Sequence, residues 1–235
     1  SNTADHARRI SAEYGLPEDG RPHGVVALSL PPDLIARGKA AAYPAADGPL
    51  RLLFVGRAEH RKGFDALIDA LELLAPEAER GQIPDFELRL AGIEAASLPA
   101  GLSPAARRRI TPLGSLTADA LSAEYAGAHA VAAPSRYESF GLVYQEGIAF
   151  GRPMIASNED ASARAFVGAV GAGSMAAETT GAALAAALRP VLCDPVYRSA
   201  LREQALLAAG RFSRETLGQE TLALYRAAIT RFQAV

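Results

Sequence analysis

Short apolar runs that stop at a glycine alternate with stretches whose apolar residues recur every three or four positions. Leu50-Arg51-Leu52-Leu53-Phe54-Val55 reads as a strand closed by Gly56, and Phe64, Leu67, Ile68, Leu71 and Leu74 then mark one face of a helix. The run 86–91 ahead of Gly92 predicts a second strand and 109–113 ahead of Gly114 a third. His129 to Ala133 reads as a fourth, and Pro153-Met154-Ile155-Ala156 opens a fifth. Thr117 is placed to cap a helix over 118–127, and from Thr180 the chain reads as helical to its end, over 180–193, 195–210 and about 213–233. Nearer the start, 3–14 predicts a short helix, 18–24 a turn-rich segment and 24–30 a strand. The Pro31-Pro32 pair and the Ala/Pro/Gly-rich stretch 40–49 predict linker. Strand, glycine turn and helix in alternation give an α/β, Rossmann-like doubly wound parallel sheet of about six strands, with ligands at the carboxyl ends of the strands.

The stretch 134–153 carries the densest chemistry. It follows the fourth strand, passes a Pro-Ser turn and enters a helix marked by Phe140, Val143, Tyr144, Gly147, Ile148 and Phe150, which Gly151 and Pro153 stop. Two carboxylates, Glu138 and Glu146, lie eight residues apart. On a regular helix that is roughly 12 Å along the axis at about 1.5 Å per residue. Cooperating glycosidase carboxylates stand about 5 to 9.5 Å apart, so this spacing suits the two ends of one extended ligand better than a hydrolytic pair. Between them the amides of Phe140, Gly141 and Leu142 lie at a helix start, which favours an anion, and Gly141 offers no side chain to block a phosphate.

The loop after the first strand, Gly56-Arg57-Ala58-Glu59-His60-Arg61-Lys62-Gly63, supplies cations. It lacks the G-x-x-x-x-G-K order of a Walker loop and is not a dinucleotide fingerprint. Arg57 can grip a phosphate as a fork, and Lys62 adds a compact point charge.

The pattern P-S-x-x-E-S-F-G-L-x-x-x-E-G-x-A-x-G-x-P resembles the signature of retaining, GT-B-type glycosyltransferases of family 4, whose E-x7-E motif is matched by Glu138 and Glu146. The loop from Gly56 to Gly63 is similar to the family's G-R-x-x-x-x-K-G loop, and the resemblance extends over about residues 24 to 232. It implies the donor-binding half of a two-domain enzyme that moves a sugar from a nucleotide diphosphate sugar to an acceptor with retention. Residues 1–23 would then be a tag remnant and the end of the preceding domain and linker, and 24–235 the nucleotide-sugar-binding domain with its C-terminal helices. The resemblance places Glu138, Arg57 and Lys62 in catalysis. It places Gly56, Ser139, Phe140, Gly141, Leu142, Glu146, Gly114 and Leu116 against the nucleotide sugar, with Glu146 on the ribose and Gly114–Leu116 beside the base. The acceptor, a glycan, lipid or small molecule, would be read by an N-terminal domain missing from this chain. No cofactor or metal is implied. The chain departs from the pattern after the fifth strand, where the stretch from Ser157 to Arg164 lacks the family's glycine pair; Glu159 and Asp160 are expected to cap the following helix, with contact to the ligand as the alternative. Two alternatives stay open: a nucleotide-binding module inactive by itself, and a GT-B relative such as a nucleotide-sugar epimerase. A glycan phosphorylase would need a lysine for pyridoxal phosphate, and Lys39 and Lys62 are the only two.

Composition narrows this picture little. Hydrophobic residues make up 49% and charged residues 21% of 235 residues, as in a globular domain, and a net charge of -2 argues against a nucleic-acid partner. The basic cluster Arg107-Arg108-Arg109 reads as the solvated end of a helix. The lone Cys193, in an apolar helical run, is expected to be a buried structural thiol and fits a reducing, cytoplasmic setting, with peripheral membrane association allowed. No apolar stretch reaches 18 residues, so no transmembrane segment is expected. His129 is expected as a satisfied core residue and His60 as an exposed loop residue; His6 and His23 show no metal spacing. Ser1-Asn2 without a methionine is expected to be the scar of a cleaved tag.

Overall fold

The computed structural model describes residues 3–15, 25–211 and 213–233. Six strands, β1 Leu50–Val55, β2 Phe86–Ala91, β3 Ile110–Gly114, β4 Ala130–Ala133, β5 Met154–Ser157 and β6 Gly173–Ala176, form one parallel sheet in the order β3-β2-β1-β4-β5-β6. Ten α-helices are described: α1 Ala4–Glu13, α2 Pro32–Ala40, α3 Phe64–Glu79, α4 Pro104–Arg107, α5 Ala118–Gly127, α6 Leu142–Ala149, α7 Ala161–Ala163, α8 Gly181–Cys193, α9 Pro195–Ala208 and α10 Arg214–Gln233. The expected α/β, doubly wound architecture is therefore present, and five of the six strands fall where the apolar runs place them.

The sheet is covered on both faces, which is why its strands are apolar at nearly every position. Leu50, Leu52 and Phe54 of β1, with Phe86, Leu88 and Leu90 of β2, face a core shared with α3 and α8. Leu53 of β1, Val131 and Ala133 of β4 and Met154 of β5 face a second core shared with Tyr125, Val143, Tyr144 and Ile148. From β1 the chain thus turns to one face and from β4 to the other. Neighbouring parallel strands whose connections diverge in this way leave a crevice at their carboxyl ends, the topological switch point where such sheets bind ligands.

At the opposite end of the sheet, Arg152 is wholly buried. Its Nε donates to the Tyr125 carbonyl at 2.9 Å, and one terminal nitrogen reaches the Ala126 and Ala42 carbonyls at 2.8 Å each. It therefore satisfies the carbonyls that end α5, where the helix dipole also favours a cation. The guanidinium lies 5.2 Å from the Tyr43 ring centre. Burial, with the neighbouring Arg202 charge adding to it, lowers the Arg152 pKa to about 10. His129 is buried as expected, accepting the Arg51 amide on Nδ1 at 2.9 Å and meeting the Ala45 carbonyl through Nε2 at 3.2 Å.

Five expectations are corrected. Residues 25–30 form no strand, because they have no pairing partner in the sheet; residue 24 and the turn-rich segment before it lie outside the described residues, as do His23 and Ser1-Asn2. The Pro31-Pro32 pair opens α2 rather than a linker, since proline fits the first helical turn, where its missing N–H costs nothing. Strand β6 was not expected at all. Cys193 is exposed at the end of α8, off the face that buries Leu184, Leu188 and Val191. Asp160 does cap α7, accepting from the Ser162 and Ala163 amides, whereas Glu159 instead accepts the Thr179 amide at 3.1 Å.

Candidate functional site

The loops after β1 and β4 meet across the crevice. After Val55 the chain runs through Gly56 and Arg57 into a short turn, His60–Lys62, and after Ala133 it runs through 134–141 into α6. The loops are joined by the Arg136 amide, which donates to the Arg61 carbonyl at 2.9 Å, and by the Arg136 guanidinium, which pairs with Asp65 of α3 at 2.8 Å. Gly63 sits at the closest approach, with φ of 68° and a position where an added Cβ would lie 2.1 Å from the Pro134 carbonyl oxygen. Any side chain there must push the loops apart while adopting a left-handed backbone. Gly63→Ala is expected to cost about 2–3 kcal/mol, read as a lower urea midpoint at unchanged slope.

The clasp places Lys62 and Glu138 together. Lys62 Nζ lies 2.5 Å from one Glu138 carboxylate oxygen, which also accepts the Ser135 hydroxyl at 2.7 Å, and Arg61 reaches the other oxygen at 3.3 Å. Glu138 is 8% exposed, so this ion pair stands in a largely desolvated setting where Coulomb attraction is weakly screened. The Lys62 stem passes over Gly56, whose missing Cβ would lie 3.7 Å from Lys62 Cδ.

Helix α6 starts at Leu142, not at Phe140. Gly141 is its N-cap with φ of 86°, and an added Cβ there would fall 2.4 Å from the Tyr144 ring. The two glutamates consequently do not share one regular helix: Glu138 belongs to the loop and Glu146 to α6, so the roughly 12 Å helical rise does not describe their separation. Glu146 accepts the Tyr125 hydroxyl at 2.7 Å, beside a cavity of about 220 Å³ between α2, α5 and α6. Burial raises its pKa above the ordinary carboxylate value, while the Tyr125 hydrogen bond and the Lys62 charge pull it down.

The remaining expected site residues are dispersed. Arg57 is 72% exposed on its side chain and pairs with Glu59 at 2.9 Å. Phe140 is buried and lies 5.1 Å from the Phe166 ring; Leu142 is exposed, as is Ser139, whose carbonyl accepts the Thr3 hydroxyl of the turn before α1 at 3.4 Å. Gly56, Gly92 and Gly114 form a row at the ends of β1, β2 and β3, the Gly56 amide donating to Ala91 and the Gly92 amide to the Gly114 carbonyl. Leu116 is half-buried against the second core. Among the described residues no group of three or more His, Cys, Asp or Glu is arranged to hold a metal, and no helix is long and apolar enough to cross a membrane.

The sequence from residue 39 to residue 207 matches the profile of a family described as glycosyl transferases group 1. The chain belongs to that family. Among group 1 glycosyl transferases it is 34% identical over 202 residues to a glycogen synthase of Mycobacterium tuberculosis, which covers 82% of this chain and 46% of that protein. It is 31% identical over 246 residues to a D-inositol 3-phosphate glycosyltransferase of Pseudarthrobacter chlorophenolicus, covering 98% and 56% respectively. The chain therefore spans about half the length of these relatives. In three dimensions it resembles a sucrose-phosphate synthase of Thermosynechococcus elongatus, with TM-score 0.67, 25% identity and coverage of 96% of this chain and 57% of that one. It also shares its fold with a trehalose 6-phosphate synthase of Burkholderia multivorans, with TM-score 0.71, 16% identity and coverage of 98% and 59%. The Rossmann-like sheet is that of GT-B glycosyltransferases.

Within this group 1 fold, sequence reasoning missed Arg61, Ser135, Tyr125 and Asp160 as partners of the two glutamates. Arg61 stands beside Lys62 and could have been included with it. Tyr125 and Asp160 come from separate elements, and no local pattern points to them. The buried carboxylates leave a measurable trace. Because the folded pKa of Glu146 lies above its unfolded value of 4.5, the folded state binds more protons, and this residue's contribution to stability falls as pH rises through the unfolded and then the folded value. Urea midpoints from pH 4 to 7 should therefore show Glu146→Gln gaining stability relative to the parent as pH rises; a constant difference would place the carboxylate in a water-like environment.

Proposed function

We propose that the chain is the donor-binding half of a retaining, family 4 type glycosyltransferase that takes a sugar from a nucleotide diphosphate sugar. The observation that carries this is the ion pair of Lys62 with Glu138, with Arg61 beside it, where the loops after β1 and β4 meet at the switch point of the sheet. A lysine and two arginines on one loop face a second loop that ends in a helix start, and a diphosphate needs such a concentration of positive charge.

In this reading Arg57, Lys62 and the amides of Phe140 to Leu142 hold the diphosphate and stabilise the charge of the departing nucleotide. Gly56 and Ser139 line the approach. Glu146 accepts hydrogen bonds from the ribose, exchanging its bond with Tyr125 or sharing it, and Gly114 and Leu116 flank the base. Glu138, held beside Lys62, faces the sugar. No metal is required, because the cations already supply the charge. The acceptor is a glycan, a lipid or a small molecule bound by the other half of the enzyme, in a cytoplasmic setting. Relatives named as a glycogen synthase and a D-inositol 3-phosphate glycosyltransferase support sugar transfer.

Calorimetric titration of this chain with UDP, GDP and ADP tests the proposal. One nucleotide is expected to bind, and Arg57→Ala and Glu146→Ala are each expected to weaken it about tenfold, the scale of one charge-assisted hydrogen bond. Binding that survives both changes would put the nucleotide elsewhere.

A further inference from the structure

We infer that Asp160 is a positioning residue for Glu138, and that it sets the preference of the site for a sugar-bearing nucleotide over the bare nucleoside diphosphate. The inference rests on the donor-site reading above.

Asp160 is wholly buried, between β5 and α7. One carboxylate oxygen accepts the Glu138 amide at 3.1 Å and the Ser162 amide at 3.2 Å. The other accepts the Tyr144 hydroxyl at 2.7 Å and the Ala163 amide at 3.3 Å. Capping a three-residue helix accounts for the bonds to Ser162 and Ala163 only. The other two leave the cap and tie the loop after β4 to α6. Ser162 completes the frame, its hydroxyl donating to the Glu138 carbonyl at 3.1 Å. Both backbone polar groups of Glu138 are therefore held by residues that begin α7, while its side chain is held from the other side by Lys62, Arg61 and Ser135.

Glu138 lies in neither a helix nor a strand, so no ladder of backbone bonds fixes it. Burial, with the Glu138 charge adding to it, raises the Asp160 pKa above the ordinary carboxylate value, against the pull of the Tyr144 hydroxyl and the Glu138 and Ser162 amides. Keeping such a charge buried costs stability, which fits a group retained for placement. No hydrogen bond described for Asp160 runs to residues 56–63. Its loss should then shift Glu138 while Arg57 and Lys62 stay in place on the loop after β1, so that phosphate binding is retained.

The test compares each nucleotide with its sugar on the parent chain, Asp160→Ala and Asp160→Asn: UDP with UDP-glucose, GDP with GDP-mannose, ADP with ADP-glucose. For the pair that the parent binds, Asp160→Ala is expected to leave nucleoside diphosphate affinity within about twofold and to weaken the nucleotide sugar about tenfold. Asp160→Asn, whose amide oxygen can still accept the Glu138 N–H, should recover most of that loss. Where Asp160→Ala does not fold, Asp160→Asn decides alone, and the expected result is then a smaller but still selective weakening of the nucleotide sugar. Equal weakening of nucleotide and nucleotide sugar, or no change in either, would overturn the positioning role while leaving the donor site standing. A parent chain that binds none of the six compounds would overturn the donor-site reading and this inference with it.

Discussion

Lys62→Met is expected to weaken nucleoside diphosphate binding about 100-fold, the upper range for losing one charge-assisted contact of ~1.5–3 kcal/mol. Methionine keeps the apolar stem that crosses Gly56 and removes only the charge. The same change leaves Glu138 with Arg61 and Ser135 but without its shortest ion pair, so folding stability should fall by about 1–3 kcal/mol. The two effects separate in a double variant. Adding Glu138→Gln removes the unpaired charge and should restore the urea midpoint, yet binding of the bare nucleotide should stay weak. If stability and affinity recover together, Lys62 acts only as the counter-ion of Glu138 and the phosphates lie elsewhere.

Arg152→Met is expected to destabilise the chain by about 3–5 kcal/mol, the scale for leaving several buried acceptors unpaired. Three carbonyls, of Tyr125, Ala126 and Ala42, lose their donor at once. The relief of no longer burying a guanidinium offsets part of this, which keeps the figure below three full desolvation penalties. Arg152→Lys should recover little, because one ammonium cannot span three acceptors in the plane of a fork. Because Tyr125 also bonds Glu146, any folded Arg152 variant should bind nucleotide less tightly although it lies at the far end of the sheet. A change below about 1 kcal/mol would mean that water reaches these carbonyls.

Most of the fold was legible because β1, β2 and β3 announce themselves twice, by an apolar run and by the glycine that closes it, and β4 and β5 by an apolar run alone. Strand β6 lacks both marks: Gly173-Ser-Met-Ala is four residues long and lies at the sheet edge. The segment 25–30 fails in the opposite sense, having the composition of a strand without a neighbour to pair with. Cys193 was misplaced because the apolar density of α8 was read without its period; the buried positions 184, 185, 187, 188, 191 and 192 leave 193 outside. In the site, Glu138, Glu146 and Lys62 stood out through the spacing of charges and glycines along the chain. That Lys62 joins Glu138 could not be read there, since the contact spans 76 residues. Asp160 looked like a cap and is one, but the bonds it makes beyond the cap depend on tertiary packing.

The pairing of β1 with β4 has a consequence for how the molecule comes together. These neighbours in the sheet are separated in the chain by α3, the whole β2–β3 unit and α5, and contacts of such separation form slowly. The crevice does not exist in either piece alone. A ligand seated there would find no partner in a half-assembled chain and would draw the population toward the completed sheet by mass action.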